Sequence, residues 1–579
     1  MGDYKITQLA ITRAGKGQTI IEPTLDMWTR ERKPNNMVIN DPKGELLVKF
    51  YVRGTMRDFQ IVQFNLINAM KTDIYNPLGL AADAAREGDF TKAAMYVENI
   101  AEVFFPVDGG DDPVWPNAAN NAFKRAAYGL IDYYLEEEKE LLAYAEKTNM
   151  DEKVLATKID IMWGKVTLYN TYQLFVQLTS KKLKNPAVEF TKKAKAGEFE
   201  GLSEEDYQEK LAEVEAQSLL WEDAPEKDLL TLYFNATDAL PTNSMRRLVA
   251  NANNALKSMA GAEKMLSSVF GIAITAMSFF TDPTISTLTS GTPSQNVDLA
   301  GLSFPRMFGI RFHSHFLEKY HLIGMQAKWM SYEDKDFTKE LGKAFYHEDL
   351  VSREGWARYY FEGKYKRDVA YVQLEIVNPQ TGMLIRRFYF QFKKSYMTSL
   401  DARYYITDPI RGDKIVKNGV LIELRKFKKK DGTEVFRKAK STFEQIKIVD
   451  VLSSTKKEKV NTSAIIKDTV RYSEKPKMIF LVTPPHLMKY AKIILILIKQ
   501  LVDLNFDKSY MTKSSQKPLF KTRFMLDELG NLQSEGHGIQ GLQTDLSIGL
   551  GQEQQFTLIL QTLQQKIIFF NNIRNCAYL

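Results

Sequence analysis

The sequence predicts an α/β fold in which one mostly parallel sheet is interrupted by an all-α domain and a β-rich insertion. Three observations carry that expectation. Residues 1–112 and 471–579 both alternate short apolar runs with amphipathic stretches, the rhythm of strands joined through helices. Residues 113–285 switch to apolar positions every three or four residues for many turns. Residues 286–470, a linker and the insertion, alternate apolar and polar residues around two turn dipeptides.

Taken in order, "YKITQLAI" reads as a strand, followed by the loop "TRAGKGQT" and a helix over roughly Gln18 to Arg30. Pro23 falls inside that helix, where its missing N–H should kink or shorten it. "NMVIN" is a short buried strand ending at the turn "DPKGE" (Asp41 to Glu45), and "FQIVQFNL" (Phe59 to Leu66) is a third strand. The helical block then runs through "NAANNAFKRAAYGLIDYYLEEEKELLAYAEK", "LSEEDYQEKLAEVEAQSLL" and "SMRRLVANANNALKSMAGAEKML". The lysine-rich "SKKLKNPAVEFTKKAKAGEFEG" inside it reads as a solvated loop.

The insertion holds "YVQLEIVNPQTGMLIRRFYFQF", turning at Thr381-Gly382, and "GVLIELRKFKKKDGTEVFRKAK", turning at Asp431-Gly432. After it come a buried strand in "KMIFLVTPP" (Lys477 to Pro485), a helix in "KYAKIILILIKQLVDL", and strands in "FKTRFMLDELGNL" and "QFTLILQTLQQ". An α/β core that resumes after two foreign blocks implies one interrupted sheet, not a string of separate domains.

Composition narrows the function. The 579 residues carry 78 basic and 71 acidic side chains, a net charge of +7, which permits local basic patches without demanding them. Cys576 is the only cysteine, which excludes disulfides within the chain and cysteine-based zinc sites and fits a reducing compartment. Met1 to Thr12 has no apolar core of a signal peptide. The longest apolar stretch, Met265 to Phe280, falls short of the roughly 20 residues of a spanning helix and reads as a buried helix, so this chain is expected to be soluble.

The chemistry-bearing residues lie at the ends of the predicted parallel strands. A nucleoside triphosphate needs backbone N–H groups facing its phosphates, a helix N-terminus behind them and a lysine reaching the terminal oxygens. The loop Thr12, Arg13, Ala14, Gly15, Lys16, Gly17 and Gln18 follows a strand and precedes a helix, and Lys16 is the candidate phosphate lysine. It departs from G-x-x-x-x-G-K-[ST] at both ends, with Ala10 for the first glycine and Gly17 for the Mg²⁺-binding hydroxyl. Far downstream, "RFMLDELGNL" puts Asp527 and Glu528 after an apolar strand, the pattern in which one carboxylate organises Mg²⁺ and the next polarises the attacking water. The following strand ends in Gln561, where RecA-type translocating ATPases place a γ-phosphate sensor. Together these predict a RecA-like P-loop nucleotide-binding domain with ATP and Mg²⁺ as cofactors.

"TRAGKGQTIIEPTLDMW", "VINDPKGEL", "YNPLG" (Tyr75 to Gly79), "FLVTPP", "MLDELGNL" and "LILQTLQQ" resemble, in this order, the type IV coupling proteins of conjugation. These are TraG/TraD-type hexameric ATPases of type IV secretion systems. The "DPKGEL" turn is the most distinctive of these, because generic P-loop proteins lack it. That family also inserts an all-α domain into its nucleotide domain. The resemblance implies a DNA-translocating P-loop ATPase that recruits a relaxase–DNA substrate and passes it to the secretion channel. Its partners would be DNA, the relaxase with accessory processing proteins, the channel proteins and further copies in a hexamer. It implies Lys16 on phosphate, Asp527 on Mg²⁺, Glu528 activating water and Gln561 as sensor, with Thr19 or a water replacing the hydroxyl missing at Gly17.

It implies, too, a place at the cytoplasmic face of the cell membrane, through two N-terminal helices that precede the first core strand in relatives and that this chain does not carry. Relatives also continue past the sensor strand, where only fourteen residues follow Gln565 here, and they carry a basic residue before that strand, where Asp545 to Gln555 has none. A nucleotide-binding substrate receptor with little or no turnover is the alternative reading. Three weaker features complete the survey. His313 and His315 are spaced to share one face of a strand near His321, and read as ordinary histidines. "RKFKKKDGTEVFRKAK" is a basic, aromatic hairpin that reads as a solvated tip, with contact to phosphates or to an acidic partner as the alternative, and "SMRRLVANANN" offers adjacent arginines as a candidate DNA or substrate contact.

Overall fold

The computed structural model describes residues 6–9, 15–32, 34–68, 71–106, 114–148, 150–257, 263–293, 295–297, 299, 307–312, 314–353, 355–363, 365–393, 421–438, 445–449, 457–461, 464–465, 475–506, 517–518, 520–528 and 549–560. Strand β1 (Ile6–Leu9) leads through the glycine loop to a π-helical turn, Gly17–Ile21, which continues as α1 (Glu22–Thr29). The kink expected at Pro23 is a change of helix type. Glu22 N–H reaches back to Gly17 O in the wider turn, and Pro23 then sits in the first turn of α1, where no donor is needed. Next come β2 (Asn36–Asn40), α2 (Glu45–Met56) and β3 (Gln60–Asn65).

The helical residues gather into a compact unit, Ile74–Tyr144 with Met162–Thr292. It takes in α3 (Gly79–Arg86), α4 (Phe90–Phe104), α5 (Val114–Thr148) up to Tyr144, and α7 (Leu168–Gln173), while α6 (Glu152–Trp163) belongs up to Ile161 to the other unit. The chain continues through α8 (Pro186–Lys195), α9 (Glu204–Ser218), α10 (Leu229–Ala239), α11 (Ser244–Lys257), α12 (Glu263–Met277) and α13 (Pro283–Thr289). The unit starts at Ile74, ahead of residue 113, because α3 and α4 are packed into it. Phe104 stacks among Phe123, Phe279 and Phe280, and Arg86 makes a buried bidentate pair with Glu138 at 3.2 Å, which also accepts from Trp163 Nε1 at 2.9 Å.

Two other expectations change here. The lysine-rich segment is ordered: β4 (Lys182–Lys184) pairs antiparallel with β5 (Glu226–Asp228), and Asn185 caps α8 ahead of Pro186. The apolar stretch from Met265 is buried on one side only, since Val269, Ala273 and Met277 are covered while Met265 and Ile272 are exposed. Among the described residues no single helix is long and apolar enough to cross a membrane.

The β-rich region contains β6 (Met307–Phe312), α14 (Ser314–Tyr320), β7 (Gln326–Tyr332), β8 (Tyr346–Leu350), β9 (Trp356–Tyr360), β10 (Val369–Val377) and β11 (Leu384–Lys393). It continues with β12 (Leu421–Lys428), β13 (Glu434–Lys438), β14 (Gln445–Val449), β15 (Lys457–Asn461) and β16 (Ala464–Ile465). Six strands form an antiparallel sheet in the order β13-β12-β11-β10-β7-β8, and both expected hairpins, β10–β11 and β12–β13, are present. One face of that sheet builds a core with Trp329, Val372, Leu374, Phe388 and Phe390, to which β9 adds Tyr359. His315 lies in α14, so the expected strand face shared with His313 does not form. Ser314 to Tyr320 are helical, and His313 is outside the described residues.

Finally β17 (Lys477–Val482), α15 (Ala491–Leu504), β18 (Thr522–Leu526) and β19 (Gln554–Leu560) return to the first sheet. That sheet is wholly parallel, in the order β1-β19-β18-β2-β17-β3, so the fold is α/β as expected. One face is covered by α1 and α2 through Leu25, Trp28, Leu47 and Phe50 against Ile39, Phe480, Met525 and Ile559. On β19 the opposite side meets α15, where Gln554 Nε2 donates to Val502 O at 3.0 Å. Strands buried on both faces need no polar alternation, which is why they read as unbroken apolar runs.

Candidate functional site

The described candidates Gly15 to Gln18, Asp527 and Glu528 follow strands β1 and β18 at one edge of the parallel sheet, beyond the carboxyl ends of its strands, where α/β sheets bind ligands. Gly15 adopts a left-handed φ of +74°, which a glycine reaches without strain. Its carbonyl accepts from Gln18 N–H at 3.1 Å, from Thr19 N–H at 3.0 Å and from the Thr19 hydroxyl at 3.0 Å. That closes the first turn behind Lys16 and leaves the Thr19 oxygen with lone pairs to offer. A Cβ at Gly17 would meet nothing within 4 Å, so a larger side chain fits there.

Lys16 crosses to the distant acids. Its Nζ lies 2.7 Å from Asp527 Oδ1 and 3.7 Å from Glu528 Oε1, across a sequence separation of 511 residues. All three side chains are mostly covered, so this is a sheltered ion triad and not a solvated surface pair. Asp527 Oδ1 also accepts from Glu528 N–H at 2.8 Å. Glu528 is buried and has φ +51°, the left-handed region that a glutamate rarely adopts, a strain that native structures keep at functional positions.

Two residues that sequence reasoning overlooked hold these acids in place. Asn40 Nδ2 donates to Asp527 O at 2.5 Å, and the Thr483 hydroxyl donates to Asn40 Oδ1 at 2.9 Å. The three residues stand at the carboxyl ends of the neighbouring strands β18, β2 and β17, so one hydrogen-bonded line crosses the sheet edge. The available signal was a polar residue ending each apolar run, Asn40 in "NMVIN" and Thr483 in "FLVT".

Asp41, next in the "DPKGE" turn, is an anchor for α2. Its Oδ2 accepts from Leu47 N–H at 2.8 Å, while Gly44, at φ +73°, turns the chain into the helix. Burial pushes its carboxyl up, opposed by hydrogen bonds from backbone N–H groups at the start of α2. In "YNPLG", Asn76 Nδ2 donates to Val166 O at 2.7 Å and its Oδ1 accepts from Leu78 N–H, a structural role inside the helical unit.

Of the candidates, Gly15, Lys16, Gly17, Gln18, Asp527 and Glu528 are described, and the structure joins Lys16 directly to both acids. Thr12, Arg13, Ala14 and Gln561 lie outside the described residues. The strand leading to Gln561, β19, runs between β1 and β18, with Leu560 opposite Leu9. The adjacent arginines of α11 divide: Arg246 is tied to Asp132 at 2.9 Å and to Pro241 O at 3.0 Å, whereas Arg247 is exposed.

A family model described as type IV secretory system conjugative DNA transfer matches residues 2–293, half of the chain. The match takes in Lys16, the "DPKGE" turn and the helical unit, and ends before Asp527. No curated protein matches the chain.

Proposed function

The chain belongs to the type IV secretory system conjugative DNA-transfer family, and on that footing we propose that it binds and hydrolyses ATP to drive transfer of a DNA substrate. The single observation behind this reading is the meeting of Lys16 with Asp527 and Glu528 at the carboxyl edge of a parallel sheet. An ammonium, two carboxylates and a left-handed glycine opening a helix are the donor set that a magnesium nucleotide requires.

The residues divide the work by their chemistry. Bound ATP supplies the phosphoanhydride bond whose hydrolysis releases energy, and Mg²⁺ neutralises charge on its oxygens. Lys16 is the residue that would meet the phosphate oxygens in place of its carboxylate partner, with the N–H groups at the start of the Gly17–Ile21 turn available to them. Asp527 is the residue that would hold Mg²⁺, and Asn40, itself held by the Thr483 hydroxyl, fixes the backbone carbonyl of Asp527. Glu528 orients the attacking water and takes up its proton. Gln561, at the end of the intervening strand, is assigned the sensor role. DNA with its relaxase, the channel proteins and further copies in a hexameric ring are the partners this reading entails.

A nucleotide-binding receptor without turnover is favoured by one feature, the absence of a hydroxyl next to Lys16, where Gly17 stands. Hydrolysis by the purified chain, with and without single-stranded DNA, decides between them. The motor reading expects turnover that DNA accelerates, its loss in Lys16→Ala with DNA binding retained, and tighter Mg²⁺ dependence in Gly17→Thr. Nucleotide binding without turnover in the parent chain supports the receptor. Turnover unchanged in Lys16→Ala overturns the site.

A further inference from the structure

The β12–β13 hairpin is built differently from the rest of its sheet. Strand β11 pairs with β12 only from Tyr389↔Leu424 to Phe392↔Leu421. Among the described residues, β12 from Arg425 onward bonds to β13 alone, so residues 425–438 continue past the sheet as a two-stranded ribbon. That ribbon holds Arg425, Lys426, Lys428, Lys429, Lys430, Arg437 and Lys438 against two acids, Asp431 and Glu434. Both acids are engaged within the ribbon: Asp431 accepts from Thr433 N–H and hydroxyl at 2.9 and 2.7 Å, and Glu434 meets Lys426 at 3.4 Å.

Alternation sorts the ribbon into two faces. Leu424 and Phe436 are buried on one, where Phe436 joins Phe337 and Tyr389 with Lys426 above them. On the other face Arg425 stands directly opposite Arg437, and Phe427 opposite Val435. Beside them Phe427 is 43% exposed, with the Arg437 guanidinium 6.0 Å from its ring. A cross-strand pair of forked cations next to an exposed aromatic ring forms an arrangement in which the cations match phosphodiester oxygens and the ring offers a stacking platform.

We propose that this ribbon is a binding site for single-stranded nucleic acid, in which Arg425, Arg437 and the tip lysines hold the backbone and Phe427 stacks on a base. It lies outside the family-matched residues and is independent of Lys16 and the acids. A site of this composition is tolerant of sequence, because every base has a stacking face.

The test measures binding of a labelled mixed-sequence single-stranded oligonucleotide to the full chain by fluorescence anisotropy over a range of salt concentrations. The double variant Arg425→Glu, Arg437→Glu should weaken binding at least tenfold and reduce the salt slope by about 1.4, the value for two single-strand phosphate contacts. Phe427→Ala should weaken it about fivefold or more and leave the salt slope unchanged. Lys16→Ala should leave it as in the parent, so failure of this proposal and failure of the nucleotide site are read separately. Unaltered affinity in both ribbon variants overturns the site. Equal displacement by polyglutamate, with no effect of Phe427→Ala, overturns it in favour of an acidic protein partner. Unchanged thermal melting of the variants, whose altered side chains lie outside the main core, ties any loss to the contact.

Discussion

Among the described residues, two six-stranded sheets are assembled in opposite ways. In the parallel sheet no early strand bonds to another early strand: β1 pairs with β19, β2 with β17 and β18, and β3 with β17. The antiparallel sheet closes within residues 326–438, mostly between strands that are near neighbours in the sequence. The inner parallel strands β2, β17 and β18 are buried on both faces, whereas β7 and β10, like the edge strand β3, alternate between a buried and a more open side. The lesson concerns where function can sit. The sheet whose inner strands are sealed on both faces presents their chemistry at the strand ends, where Lys16, Asn40, Thr483 and Asp527 meet. The local sheet has an open face and a ribbon to offer instead.

The largest effect that tests this contrast is removal of residues 477–579. Without β17, β18 and β19, strands β1, β2 and β3 have no partner, and the whole parallel sheet should be lost. Hydrogen exchange read by mass spectrometry should show protection vanishing at residues 36–40 and 60–65 while that of 369–393 persists. Retained protection at 36–40 in the shortened chain would break the comparison. In refolding of the full chain, the local pairs of β10 and β11 should gain protection before the distant pairs of β2 and β17.

A smaller effect compares single side chains. Phe480 is fully buried in β17, packed with the residues of α1 and α2, and Phe480→Ala should cost about 3–5 kcal/mol. Gln373, on the half-open face of β10, donates to Glu375 Oε1 at 2.9 Å, and Gln373→Ala should change stability by no more than about 0.5 kcal/mol. Chemical denaturation of both variants gives the ratio. Equal losses would mean that the open face of β10 is covered by something else in the chain.

The same difference explains what was legible in the sequence. Strands such as "NMVIN" and "KMIFLV" were readable because burial on both faces removes polar residues, and the Thr381-Gly382 and Asp431-Gly432 hairpins because their turns need glycine at positive φ. Lys16, Asp527 and Glu528 were readable as types at strand ends; their contact was not, since it depends on β19 and β18 entering beside β1. The packing of α3 and α4 into the helical unit rests on contacts distant in sequence, Arg86 with Glu138 and Phe104 with Phe123, which no local pattern displays. In the lysine-rich segment, charge masked a local signal: Asn185 followed by Pro186 is a helix start.

The smallest effect sets one aspartate from each sheet against the other. Asp41 ends β2 in the "DPKGE" turn, and burial raises its carboxyl above the ordinary value of 3.8, with the N–H groups of Leu47 and its neighbours opposing. Asp431 turns the β12–β13 ribbon, where the Thr433 hydroxyl and then its N–H hold the carboxyl below that value. The signs follow from proton linkage. Folded Asp41 binds its proton more tightly than the unfolded chain does, so its contribution is complete below pH 3.8 and is lost as pH rises through the raised value. Asp431 contributes above pH 3.8 and loses that contribution as pH falls through the lowered one. Asp41→Asn, whose side-chain oxygen still accepts from Leu47, should therefore flatten a decline in melting temperature on the neutral side of 3.8, and Asp431→Asn a decline on the acid side. A shift of the same sign in both variants would show that the turn of the sealed sheet is as well hydrated as the turn of the open one.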